Sequence, residues 1–178
     1  MMDYLVKPRE GYSSTIGELI TMLEHTRETT ISEIAELRQS ELDYLYEEDA
    51  NSIGALLLHI ASIEAVHQVI SFEGRDFNEA ELSKWKHALE LGENARANIK
   101  NNSIDYYLAA LSTVRERTLN LFKTKSDDWL YEERTWSNGI PHNLYYLWYH
   151  VMEDEISHRG QIRMIRRKLS TNQEALKL

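Results

Sequence analysis

His150, Asp154 and His158 recur at four-residue intervals in the stretch His150-Val-Met-Glu-Asp-Glu-Ile-Ser-His158. On a helix that spacing steps three side chains down one side, each offset by about 40° from the last. Imidazole nitrogen and carboxylate oxygen are ligands for divalent metal ions, so the stretch is a candidate for holding one. It lies inside a run from Leu144 to Leu169 with apolar residues at Leu144, Leu147, Val151, Ile162, Ile165 and Leu169, a helical stripe. His158 falls in the middle of that stripe, where Leu or Ile is expected. An ionisable pair on a core-facing stripe is costly unless something compensates it, and a metal ion does so. The plainer alternative is a packed histidine whose imidazole is held by Asp154. A third group from elsewhere in the chain is needed before the pair becomes a metal site.

Histidines intrude on apolar spacing a second time. Asn51-Ser52 caps a helix expected to run to about Phe72, with Ile53, Leu56, Leu57, Ile60, Ile63, Val66 and Ile70 inward. His67 is near the centre of that face, His59 near one edge and Glu64 near the other. Either histidine could join Asp154 and His158, and spacing leaves the choice open. Two imidazoles and a carboxylate suit Zn, Ni, Fe or Mn, and a site with three protein ligands keeps one position for water or substrate.

The elements that must position these residues are long amphipathic helices. The chain has 178 residues, long enough for one domain with a substantial core, read here as residues 1–178 with the core at about 12–169. Seven Gly and two Pro argue against a β-rich or loop-rich fold. A first helix is expected over about 13–38, with Thr15 and Glu18 at capping-box spacing and Thr29-Thr30-Ile31 as its weak point. Gly74 stops the second helix. A polar connection to Asn102 follows, with one short helical patch around Glu79 to Leu91. Ser103 caps the third helix, with Tyr107, Leu111, Val114 and Phe122 inward. Trp129 and Trp136 are expected to fold onto the bundle end, and Pro141 to sit in the first turn of the fourth helix. Residues 1–11 and 170–178 read as irregular. The sum is an all-α four-helix bundle with a long crossover between helices two and three, which leaves those two parallel.

Composition bounds the partners. The net charge is −9, which argues against nucleic acid and anionic membrane surfaces. There is no Cys, so no disulfide, thiolate nucleophile or Cys-type zinc site is available. No uninterrupted apolar run reaches the roughly 20 residues that span a bilayer, and the start lacks the pattern of a signal peptide. A cytoplasmic location is expected.

Asn51-Ser-Ile-Gly-Ala-Leu-Leu-Leu-His59-Ile-Ala, followed by His150-Val-Met-Glu-Asp-Glu-Ile-Ser-His158-Arg-Gly-Gln-Ile, resembles the DinB/YfiT-like superfamily, across the whole chain and in helix order. The resemblance implies a four-helix bundle, often dimeric, with one metal held by a histidine of helix two and a pair four residues apart in helix four. Carried over, the ligands are His59, Asp154 and His158. His67 then lines the core or pocket, and His150 stands at the pocket rim or behind the ligands. The superfamily's commonest triad is three histidines, and Asp154 departs from it. Characterised members include thiol-dependent transferases and isomerases using bacillithiol, mycothiol or glutathione; others are described as metal-dependent hydrolases or damage-inducible proteins. The implied activity is that of a metal-dependent enzyme acting on a small molecule, with the ion, Zn or Ni ahead of Fe or Mn, activating a low-molecular-weight thiol or water. Glu155 is read as a surface carboxylate, or as an acceptor orienting a ligand imidazole. Two rivals are a di-iron bundle, built on Glu64-x-x-His67 and Glu155-x-x-His158 with Glu24 and Glu116, and a non-catalytic bundle that dimerises or holds a structural metal.

Overall fold

The computed structural model describes residues 4–175. Among them are α1 (Ser14–Ile34), α2 (Gln39–Leu42), α3 (Ile53–Gln68, continued as a π-helical turn over Val69–Glu73), α4 (Glu79–Glu90), α5 (Gly92–Asn98), α6 (Ile104–Phe122), α7 (Asp127–Leu130), a hairpin of β1 (Glu133–Thr135) and β2 (Pro141–Asn143), and α8 (Leu144–Ala175). The bundle helices are α1, α3, α6 and α8, in the order that the hydrophobic periodicity predicts.

Local chemistry explains most of the boundaries. Ser52 accepts from the Ala55 amide and Ser103 from the Tyr106 amide, so α3 and α6 start at the residues expected. Gly74, at φ +67°, ends the π turn after α3 in a left-handed conformation. α1 departs from expectation at both ends. Ser13 makes no side-chain cap; the Ile16 amide instead donates to Asp127 Oδ1 of α7 at 3.0 Å, a cap supplied from 111 residues away. The helix stops at Ile34 rather than near 38, because Arg38 is extended and its amide is taken by the Glu41 carboxylate at 2.8 Å. The Thr29-Thr30 stretch stays helical, each hydroxyl donating to the carbonyl four residues back.

Three further expectations are corrected. Pro141 lies in β2, paired with Thr135, and it is Asn143 that caps α8 by accepting from the Tyr146 amide at 2.8 Å. The crossover holds two helices rather than one patch, broken at Leu91, whose φ is +51°. α8 continues past Ser170 to Ala175, so only residues 176–178 of the expected irregular tail, like residues 1–3 of the lead-in, lie outside the described residues. Trp129 stacks on Phe72 at 4.6 Å at the bundle end, and Trp136, stacked on His142 of the hairpin at 3.9 Å, packs against the same apolar cluster, as expected of both.

Paired contacts give the helix directions. Glu64 meets Arg115, Gln68 meets Thr118 and Phe72 meets Phe122, so α3 and α6 run parallel. His59 meets His158 while His67 meets His150, so α3 and α8 are antiparallel. Arg27 meets Glu155 and Glu33 meets Arg163, so α1 and α8 are parallel. The buried apolar residues fall into two clusters. One gathers Ile34, Leu56, Leu57, Tyr107, Ile162 and Ile165; the other gathers Ile16, Leu19, Leu23, Phe122, Trp148 and Val151. Along every bundle helix a buried charged residue stands at the junction between them. The Ile53–Glu73 segment, at mean hydropathy 1.6, is long and apolar enough to cross a membrane by composition, but 83% of that window is buried, as befits the central helix of a bundle.

Candidate metal centre

His59 of α3 faces Asp154 and His158 of α8, and one donor atom from each lies within 4.8 Å of the others. Asp154 Oδ1 is 3.7 Å from His59 Nε2 and 3.4 Å from His158 Nε2, and the two rings meet nearly edge-on with centroids 4.7 Å apart. Those separations suit an ion better than direct hydrogen bonds, whose optimum is about 2.9 Å. Ligands held at about 2.0–2.1 Å around a tetrahedral ion stand roughly 3.3–3.4 Å from one another.

The tautomer of His59 is fixed by its surroundings. Its Nδ1 lies 2.8 Å from the Ala88 carbonyl of α4, and a carbonyl only accepts, so Nδ1 carries the proton and Nε2 the lone pair. That is the arrangement of a metal-binding imidazole steadied from behind. On α8 the polar bookkeeping is incomplete: Asp154 Oδ2 and His158 Nδ1 are buried without a hydrogen-bond partner. Burial raises the Asp154 carboxyl, and the two imidazoles more than offset it, holding the group below the ordinary carboxylate range. An ionised, half-satisfied carboxylate between two imidazoles is a donor set that fits a divalent cation.

The other residues singled out from sequence go elsewhere. His67 is buried, its Nδ1 donating to the Ile63 carbonyl at 2.7 Å, and burial pushes its imidazole down toward the neutral form. It belongs to the next stretch of the same α3–α8 seam, 5.5 Å ring to ring from His150. His150 is partly exposed, stacked near Tyr146 and within 3.3 Å of Glu153. Glu155 is neither a surface carboxylate nor a partner of a ligand imidazole. It is 1% exposed and takes a two-pronged ion pair from Arg27, at 2.9 and 3.1 Å.

Glu155 and Glu64 open onto Arg27, Arg115 and Thr118, which sequence reasoning passed over. Glu64, fully buried, receives Arg115 at 2.7 and 3.0 Å, Arg27 at 2.8 Å and the Thr118 hydroxyl at 2.6 Å. Burial works to raise Glu64, and Arg115 and Arg27 overcome it, bringing its carboxyl down to about 2. The di-iron alternative fails here, since both of its bridging carboxylates are occupied by guanidinium groups, while Glu24 pairs with Arg9 and Glu116 is exposed. A signal was available: Arg27 and Arg115 continue the apolar stripes of Leu19–Leu23 and Leu108–Leu111 at four-residue spacing.

A solved structure described as YfiT from Bacillus subtilis, a probable metal-dependent hydrolase with an unusual four-helix bundle topology, is similar to this chain, with a TM-score of 0.61 and 19% identity over 92% of this chain and 93% of that one. At that identity the likeness shows the fold. No curated protein matches the chain. Residues 18–171 match the model of the mycothiol-S-transferase family, and the chain therefore belongs to that family, within the DinB/YfiT-like superfamily.

Proposed function

We propose that this protein is a divalent-metal-dependent S-transferase that joins a low-molecular-weight thiol of the mycothiol class to an electrophilic small molecule. The observation that carries the reading is the convergence of His59, Asp154 and His158, from two helices far apart in sequence, with buried polar atoms left unsatisfied. The family match favours a thiol as the nucleophile, and the donor set suits Zn or Ni, with Fe or Mn also compatible.

When bound, the ion lowers the pKa of a thiol or water so that a nucleophile exists near neutral pH. The chain's residues supply the rest. The Ala88 carbonyl keeps a proton on Nδ1 of His59, so in the neutral ring it is Nε2 that turns its lone pair to the site. Asp154 stays ionised because the flanking imidazoles favour its anion. Three protein ligands would leave one position of such an ion open for the thiol. Its sulfur forms the new bond to the electrophilic carbon, the leaving group departs with the electron pair of the broken bond, and the thiol proton passes to solvent. His67 and His150 line the continuation of the seam. A hydrolase would use the same residues with water in place of the thiol. The same reading takes the chain as a cytoplasmic homodimer, and Tyr146, Tyr149, Ile156 and Met164, exposed along one side of α8, support the pairing.

The test is turnover of an alkylating electrophile by the purified protein with mycothiol, bacillithiol or glutathione, alongside metal analysis. The expected result is one divalent ion per chain, lost in His158→Ala, with thiol transfer abolished in His59→Ala. A metal-free protein whose properties His158→Ala leaves unchanged would make the bundle a scaffold instead.

A further inference from the structure

The ligands of the proposed centre are unequally supported. His59 is held from behind by Ala88, whereas Asp154 Oδ2 and His158 Nδ1 have no partner. The aim of the two α8 ligands therefore depends on the rotation of α8 itself. A side-chain tip lies about 5–6 Å from the helix axis, so about 20° of roll would carry the Asp154 oxygens roughly 2 Å. Metal–ligand distances tolerate only about 0.2 Å. Apolar packing is non-directional and resists such roll only through the fit of its shapes.

Glu155, next to Asp154 in the chain, is gripped at two points by Arg27 of α1. The same guanidinium reaches Glu64 of α3 and donates to the Leu111 carbonyl of α6 at 2.8 Å. Arg115 of α6 mirrors it, gripping Glu64 at two points and donating to the Leu23 carbonyl of α1 at 2.8 Å. Each bundle helix contributes one charge, two positive and two negative, at the junction of the two apolar clusters. Such a buried array is poor value for stability, since apolar residues of similar volume commonly serve as well or better. What it provides and Leu does not is direction, because a guanidinium fork donates to a carboxylate in one plane.

We propose that Arg27, Glu64, Arg115 and Glu155 form a positioning device for the metal centre, fixing the rotation of α8 against α1 and α3 so that Asp154 and His158 meet His59. The proposal rests on the metal-site reading and concerns residues that touch neither ion nor substrate.

The experiment is zinc affinity of the full-length protein, measured by competition with a chromophoric chelator, for wild type, Arg27→Met and Glu155→Gln. These two substitutions change the local charge in opposite directions. If the network acted on the ion only through charge, Arg27→Met would tighten zinc and Glu155→Gln would weaken it. Positioning predicts that both weaken it, by about 10- to 100-fold, the usual cost of losing an outer support. Cobalt(II) bound to either variant should also show weakened and broadened d–d bands. Should the single variants fail to fold, the combined Arg27→Met, Glu64→Leu, Arg115→Met and Glu155→Leu protein, with an apolar belt, carries the test; it is expected to unfold no earlier than wild type without metal and still to bind zinc more weakly. Tighter or unchanged zinc in Arg27→Met, or wild-type affinity in the apolar-belt protein, overturns the proposal and leaves the metal site standing. Wild type that binds no zinc overturns both.

Discussion

At the scale of single residues, the informative ones are polar groups standing where the helical pattern calls for hydrocarbon. Asp154 and His158 were legible for that reason, and so in principle were Glu64 and Glu155. What the pattern could not supply was the partner. That His59 faces Asp154 and His158 while His67 faces His150 is set by how α3 lies against α8, and no local spacing reports it. Glu155 read as a surface group because its neighbours in sequence say nothing of Arg27, 128 residues earlier. Glu64 also sets a pH dependence. Its carboxyl falls from an ordinary 4.5 to about 2 in the folded chain, so the unfolded state binds more protons between those values. Its stabilising contribution is fully present above about pH 4.5 and is lost as pH falls toward 2. Urea midpoints at pH 6, 4 and 3 should decline through that window. Glu64→Gln, which leaves two buried guanidiniums short of an anion, should lower the midpoint at pH 6 by the equivalent of about 3–5 kcal/mol and decline less steeply in acid. Equal acid slopes for the two proteins would show that Glu64 is not the titrating group.

Among the elements, the four long helices were readable because many turns repeat the same signal, and their caps were readable where the capping side chain is local, as at Ser52 and Ser103. The hairpin was not, since three-residue strands are too short for any alternation to register, and its Ser137-Asn138-Gly139 turn was the only clue. The end of α1 and the break at Leu91 escaped for a related cause, each being decided by one residue's backbone rather than by a periodic pattern. Helix packing turns on a similar detail where α3 meets α6. A Cβ on Gly54 would lie 2.6 Å from Cζ of Tyr107, a ring that is itself completely buried. Gly54→Ala should therefore push α6 away from α3 and destabilise the fold by about 1–3 kcal/mol. A urea midpoint unchanged from wild type would mean that the ring can shift freely and that the approach is not tight.

For the whole molecule, the parallel pairs α1–α8 and α3–α6 bring distant segments into register. The long crossover between α3 and α6 makes this topology possible, and it also delivers the carbonyl that orients His59. The bundle is thus two apolar halves joined across a charged belt, with the candidate metal centre at the level of the belt, on the α3–α8 seam. This arrangement ties the site's geometry to the integrity of all four helices. Whether three side chains share one ion is the central question, and X-ray absorption of the zinc-loaded protein answers it directly. The predicted spectrum shows two imidazoles and one carboxylate oxygen at about 2.0–2.2 Å, with a sulfur appearing near 2.3 Å when a thiol is added. A zinc shell without imidazole scattering, or one unaltered in His59→Ala, would contradict it.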